Sequence, residues 1–386
     1  MTTASPAAPP VTWAQADARR IRRQFLAEPA DAPPAEVAAA MLGAHAQVLS
    51  AAELSVALRR TEGTRADVRA ALGQDRTLIK TYGPRGTVHL LPAADLPMWT
   101  GALSAIPAVA GPQPPHVRMT PEQTEEVLAA VADALTGAEL TVDELTDAIV
   151  ERTGPWAGDR VMDAFQEKWP RWRQITHLAA HRGVLCFGRD RGRKVTYTHP
   201  GVRPAGPRAL GELVERYLRA YGPAEPRHFA KWLAAPPGWA AGLFASLAEA
   251  GRIEEVSFEG AAAWVAAGDT AFPEERPAPG VRLLPYFDAF AIASQPRERL
   301  FPGRARERAL AGGQAGNFLV LLLDGTVAGV WHQRRSGKRI TVTVEPLRPL
   351  GAPRLRELAA QADRLAAVLE GRAELTVGPV AVGPHA

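Results

Sequence analysis

With 386 residues, 46% of them hydrophobic and 22% charged, the chain has the composition of a soluble globular protein and exceeds the usual size of a single core. No apolar run approaches the roughly 20 residues needed to span a bilayer, which excludes membrane insertion. The formal charge of +4, from 45 Lys and Arg against 41 Asp and Glu, is too small an excess to select an anionic partner by itself.

Met1 to Pro10 are small and Pro-rich and lack the basic start and apolar stretch of a secretory signal, so 1–11 reads as a disordered lead-in. Helical periodicity follows at Ala14 to Phe25, Ala35 to Leu49, Ala52 to Arg59 and Arg65 to Leu72. Extended runs Leu78 to Tyr82 and Thr87 to Leu91 then flank a turn supplied by Gly83, Pro84 and Gly86. In the next segment Thr120-Pro121-Glu122-Gln123 opens a helix with an N-cap and a proline at its first position, and Thr141-Val142-Asp143-Glu144 opens another. A helical stretch Trp169 to Arg182 leads to Gly183 to Phe187, a polar turn Gly188 to Arg193 and a strand Lys194 to His199, a hairpin with a basic tip. Helices at Arg208 to Ala220, Pro226 to Leu233 and Trp239 to Ala250 precede a third hairpin, Ile253 to Phe258 and Ala262 to Val265, joined across Glu259-Gly260.

From Gly280 short strands take over: Arg282 to Pro285, Phe318 to Leu323, Thr326 to His332, Arg339 to Pro346 and one near Glu374 to Val380, with one helix at Pro353 to Leu369. Helices followed by a two-stranded ribbon, three times over, make an α+β fold of three tandem winged-helix units at 12–115, 116–205 and 206–279. A C-terminal β-rich, barrel-like domain fills 280–386. The single cysteine, Cys186, between Leu185 and Phe187, rules out an intramolecular disulfide and reads as a buried thiol in a cytoplasmic protein.

The stretch Leu42-Gly43-Ala44-His45-Ala46-Gln47-Val48 sets two polar side chains in a small, apolar segment that reads as helix. Burying either without a partner costs a few kcal/mol, so each has an internal partner or faces a cavity. On pattern alone a satisfied core histidine beside an exposed glutamine is the ordinary outcome. Two positions apart on a helix, the side chains diverge by about 200°, so both flank one cavity only if the helix ends or bends there.

That segment, with Arg85-Gly86-Thr87-Val88-His89-Leu90, Leu284-Pro285-Tyr286-Phe287-Asp288 and Gly329-Val330-Trp331, resembles in order and spacing the AlkZ/YcaQ-type winged-helix DNA glycosylases, over nearly the whole chain. The family carries a Gln-x-Gln or related motif at the first position. Here His45 replaces its first glutamine, a His-x-Gln branch, and Gln47 matches the second. The resemblance implies a monofunctional glycosylase that hydrolyses the N-glycosidic bond of bulky alkylated purines, as N7-alkylguanine or N3-alkyladenine adducts or interstrand crosslinks. Its role would be DNA repair or antibiotic self-resistance, and its product an abasic site. Such a base is already cationic and departs neutral, so the enzyme needs chiefly to place water and to stabilise a cationic sugar. Gln47 would orient the water, and neutral His45 would accept its proton as general base.

Duplex DNA carrying alkyl adducts is then the partner of a monomer that needs no cofactor. Arg85, Thr87 and His89 would belong to the first hairpin near the site, with Arg85 available to phosphate and His89 either on DNA or packed inside. Lys168, Arg171 and Arg173, then Arg191, Arg193 and Lys194, then Arg334 and Arg335 form basic clusters suited to DNA. Tyr286 and Asp288 would line the site, Asp288 holding an interface or favouring the cationic sugar. CxxC pairs, HExxH, GxxxxGK and a strand-to-helix GxGxxG are missing, and the nine histidines nominate no metal site. The rival reading is a non-catalytic winged-helix DNA-binding protein, either a transcription regulator or a protein that sequesters adducts.

Overall fold

The computed structural model describes residues 10–107, 113–164, 167–273 and 280–384. Its contacts divide the chain into two compact units, residues 1–71 with 214–386, and residues 72–213. The expected lead-in at 1–11 lies outside the described residues up to position 9. Val11, which that expectation included, is instead ordered: its N–H donates to Ser257 O at 2.7 Å and its carbonyl accepts from Glu259 N at 2.9 Å.

In the first unit the helix Trp13–Arg23 starts at Thr12 with a reciprocal cap, Thr12 accepting from the Gln15 N–H and the Gln15 side chain accepting from the Thr12 N–H. It buries Ala16, Asp17, Arg20 and Ile21. The next helix, Pro34–Ala40, is where the expectation of one helix through Leu49 fails. Leu42 turns left-handed at φ 56°, with the Leu42 N–H donating to Ala39 O and the Gly43 N–H to Ala38 O, the paired bonds that close a helix C-terminus. A short strand, Ala44–His45, follows, and a new helix, Leu49–Leu58, begins three residues beyond Gln47's predecessor Ala46. His45 and Gln47 therefore stand between two helices, not within one.

Further along this unit come Pro226–Leu233, Pro237–Glu249 and the hairpin Ile253–Phe258 with Ala261–Ala266, paired antiparallel from Ala261 opposite Phe258 to Ala266 opposite Ile253. Glu259 and Gly260 both take positive φ at its tip, the backbone a two-residue hairpin turn requires. The C-terminal part is a five-stranded, curled half-barrel sheet ordered Val281–Leu284, Leu319–Leu323, Thr326–Ser336, Arg339–Pro346 and Arg372–Val377. Its first three pairings are antiparallel and its last is parallel, with the helix Ala352–Val368 making the crossover. Ile21 joins Leu284, Phe290, Leu300, Val320 and Leu322 in the core beneath this sheet. Gly325 in the tight turn at the end of the second strand has no substitute, because a Cβ there would lie 1.7 Å from Asp17 Oδ2.

The second unit holds the hairpin Leu78–Tyr82 with Val88–Pro92, a 3₁₀ turn Pro84–Gly86 at its tip, and the helix Leu96–Ser104. The helices Pro121–Leu135 and Val142–Thr153 start at capping boxes on Thr120 and Thr141, as their sequences predict. Between them lies a strand, Glu139–Thr141, that periodicity did not reveal. It pairs with Thr196–Thr198, which in turn pairs with Cys186–Phe187. The expected helix Trp169 to Arg182 is only partly helical: Trp169–Pro170 is a strand, Arg171–Ile175 a 3₁₀ turn and Thr176–His181 an α-helix. Val131, Leu145, Ile149, Trp172, Leu185 and Tyr197 form this core. Cys186 is buried, and burial pushes its thiol pKa up to about 12, leaving it inert as a nucleophile. No helix among the described residues is long and apolar enough to cross a membrane.

Candidate active site

His45 is reached by the chain reversal at Leu42 and Gly43, and the Tyr221 hydroxyl, itself buried, fixes that reversal by donating to Met41 O at 2.6 Å. In an extended stretch residues two apart share a side, so leaving the helix removes the divergence that helical spacing would impose on His45 and Gln47. Their exposures differ: His45 is 7% exposed, whereas Gln47 is open to solvent. The His45 ring stacks on Phe287, centroids 4.8 Å apart and planes 25° from parallel. Tyr286 lies against the same Phe287 ring at 6.4 Å, and burial raises its phenol pKa, keeping it a neutral hydrogen-bonding group.

Phe287 holds this place through its backbone and its neighbour. Its φ is 55°, unusual for an aromatic residue, and its N–H donates to Gly316 O at 2.8 Å. The next residue, Asp288, is buried and fully engaged. Its Oδ2 accepts from Arg59 Nη1 at 2.8 Å and from the Ser55 hydroxyl, and its Oδ1 accepts from Arg59 Nη2 at 2.9 Å and from the Phe290 N–H at 3.0 Å. Arg59 also donates from Nε to Gln24 O and from Nη1 to Ser55 O. Ser55 lies on, and Arg59 just past, the helix that begins two residues after Gln47, so this clamp ties the 286–288 loop to the segment carrying both candidate residues. An Asp288 carboxylate with every acceptor direction used braces the loop rather than offering a charge to a sugar. Ser55 and Arg59 were not singled out in the sequence, and Phe287 stood there only as part of the Leu284-to-Asp288 motif. The available signal was Ser55 and Arg59 at i, i+4, two polar groups on one face of an apolar helix.

Arg334 and Arg335 belong to the same unit, on the exposed end of the long strand Thr326–Ser336. Arg335 donates to Gly337 O and Leu369 O, while Arg334 extends into solvent.

The remaining basic candidates lie in the second unit. Arg85 sits at the tip of the first hairpin with φ 61°, half-buried, and burial lowers its guanidinium pKa. Thr87 donates its hydroxyl to Pro84 O at 2.9 Å, and His89 is buried with Nδ1 2.9 Å from Thr87 O, so both help shape the turn. Gly83 is obligatory there, since a Cβ would come within 2.9 Å of the His89 ring. Arg171 bonds internally to Val117 O at 2.7 Å, Trp156 O and Asp159. Lys168 is exposed near Asp163, and Arg173 lies flat on the half-exposed Trp169 at 3.8 Å.

On the second hairpin Arg191 grips Glu144 at 3.0 and 2.9 Å, Lys194 meets Asp143 at 3.5 Å, and Arg193 is exposed. The imidazoles of the exposed His177 and the half-buried His181 meet edge-on at 5.8 Å; burial and then His177 hold His181 down to about 4. Among the described residues no group of three or more His, Cys, Asp or Glu side chains could hold a metal ion.

A family described as DNA glycosylase AlkZ-like matches residues 38–368 of this chain, a span that includes His45, Gln47 and the whole Asp288 clamp. An interstrand DNA cross-link repair glycosylase of Streptomyces sahachiroi is 33% identical over 340 residues, 83% of this chain and 88% of that relative. The solved structure of the Streptomyces sahachiroi DNA glycosylase AlkZ superposes with a TM-score of 0.77 at 27% identity, covering 96% of this chain and 100% of that one.

Proposed function

Since the chain belongs to the AlkZ-like DNA glycosylase family, we propose that it hydrolyses the N-glycosidic bond of bulky alkylated purines in duplex DNA, with His45 and Gln47 acting on the attacking water. The observation that carries this reading is the break at Leu42 and Gly43, which places His45 on the face of Phe287 beside the exposed Gln47. Stacking leaves the imidazole edge as its reactive part and restricts its rotation. Gln47 orients water through its amide, and His45 accepts the proton as the water oxygen bonds to the anomeric carbon. The positive charge on an N7- or N3-alkylated purine is neutralised as the glycosidic electron pair moves onto the base. The sugar is left as an abasic site, and no strong acid is needed.

On this reading the helix-and-hairpin segments are three winged-helix units that grip the duplex, His45 defines a His-x-Gln branch, and the protein works as a monomer without a cofactor. Bulky monoadducts are the primary substrates. Crosslinks are included because the Streptomyces sahachiroi relative is an interstrand cross-link repair glycosylase. The test is single-turnover release of an N7-alkylguanine from a defined duplex. Gln47→Ala should slow release at least 100-fold with DNA affinity within twofold of wild type, because the amide positions water and does not grip phosphate. Undiminished release from both Gln47→Ala and His45→Ala would remove this segment from the chemistry.

A further inference from the structure

The first unit contains a cavity of about 290 Å³ that the proposed reaction does not use. Its lining includes the apolar Phe25, Leu26, Leu58 and Leu283 together with Arg282 and Arg364. Arg282 is 7% exposed, its Nε donates to Leu26 O, and its Nη1 is buried with no hydrogen-bond partner. Arg364 is anchored through Nη2 to Ala57 O and Arg60 O, while its Nε is likewise buried without a partner. Two guanidinium groups, each tethered at one nitrogen, thus line one cavity, with the unanswered Arg282 Nη1 and Arg364 Nε shielded from solvent.

Two of the three carboxylates near Arg282 are occupied elsewhere, and the third, Asp17, is buried, which raises its pKa to about 7. Glu357, on the rim, is held by Arg354 at 2.7 Å, and Asp324 is held by the same Arg354 at 2.6 and 2.7 Å. Arg59, which also lines the cavity, is committed to Asp288. Burial lowers the pKa of Arg282 against the opposing charge of Asp17, and burial followed by Arg60 lowers that of Arg364 against Glu62.

We propose that this cavity is a binding site for a tetrahedral phosphate-class oxyanion, held between Arg282 and Arg364. Phosphate presents several acceptors in different directions, which suits two separate donors better than a single fork does. Its source is either a free phosphate group or a backbone phosphate of bound DNA. Calorimetric titration of the full chain with inorganic phosphate, at ionic strength fixed with potassium chloride, should show one saturable site. Affinity should fall at least tenfold in Arg282→Met and in Arg364→Met.

Arg364→Met, at a half-exposed position, carries the test should Arg282→Met fail to fold. Repeating the titration with an undamaged duplex already bound separates the sources: loss of the phosphate site identifies a DNA phosphate in the cavity, and its retention identifies a free one. Absence of a saturable site in the wild-type chain, or unchanged affinity in a folded Arg364→Met protein, would overturn the proposal.

Discussion

Arg59 and Arg191 each hold a carboxylate with two nitrogens, yet the two pairs do opposite things. Arg59 and Asp288 are 1% and 0% exposed, and each of their remaining polar atoms is answered by Ser55, Gln24 or Phe290. Arg191 and Glu144 are 48% and 46% exposed at a hairpin tip. Water and salt screen the second pair, so its geometry is optional, whereas the first cannot be broken without stranding a buried charge. The lesson is that the same arginine–carboxylate pairing fixes the loop beneath His45 in one place and merely offsets a basic patch in the other.

Removing one partner of the buried pair tests the contrast at its strong end. Arg59→Met should cost about 3–5 kcal/mol of unfolding free energy, read by chemical denaturation, because Asp288 is left buried and unpaired. A cost below 1 kcal/mol would mean that the clamp does not set the 286–288 loop.

Asp17 sharpens the comparison, being a buried carboxyl near Arg20 and Arg282 but paired with neither. Burial raises its pKa from 3.8 to about 7, with Arg20 and then Arg282 opposing. The folded state therefore binds this proton more tightly than the unfolded one. The associated stability is fully present below pH 3.8 and is lost as pH rises through about 7, on the order of 4 kcal/mol in all. Asp17→Asn should flatten that decline between pH 4 and 7 and leave the protein more stable than wild type at pH 8. An unchanged pH dependence of the denaturation midpoint would assign the proton elsewhere.

At the weak end, Glu144→Gln should barely move stability and should strengthen binding to undamaged DNA by freeing Arg191. Arg193→Ala should lower the slope of log affinity against log salt by about 0.9, the loss of one phosphate contact. Arg171→Ala should leave the slope alone, since that side chain faces Val117 and Trp156. A salt slope unchanged in Arg193→Ala, with undamaged-DNA affinity unchanged in Glu144→Gln, would mean that this hairpin does not meet DNA.

What the sequence disclosed followed the strength of its local signals. The capping boxes at Thr120 and Thr141 and the Glu259-Gly260 turn were readable because side chain and backbone demand coincide at each. The helix running through His45 was misread because Ala, Met and Leu continue the helical pattern through Met41. It stops at Leu42, a left-handed residue with no composition signal, although Gly43 directly after it was a legible warning. His45 and Gln47 stood out as polar groups in an apolar run. The Phe287 stack and the Asp288 clamp did not, because they join residues more than 200 positions apart, a separation over which periodicity carries no information. Charge runs do not disclose side-chain partners: Arg171 sits in a basic cluster yet donates to the carbonyls of Val117 and Trp156.

Whether His45 takes the proton of the attacking water is decided by the pH profile of single-turnover base release in the wild-type and His45→Gln proteins on an N7-alkylguanine duplex. The substitution keeps a hydrogen-bonding side chain and removes the titrating group, so the acidic limb of the profile should flatten while measurable release persists at neutral pH. The same acidic limb in both proteins would contradict the claim and assign that titration to another group.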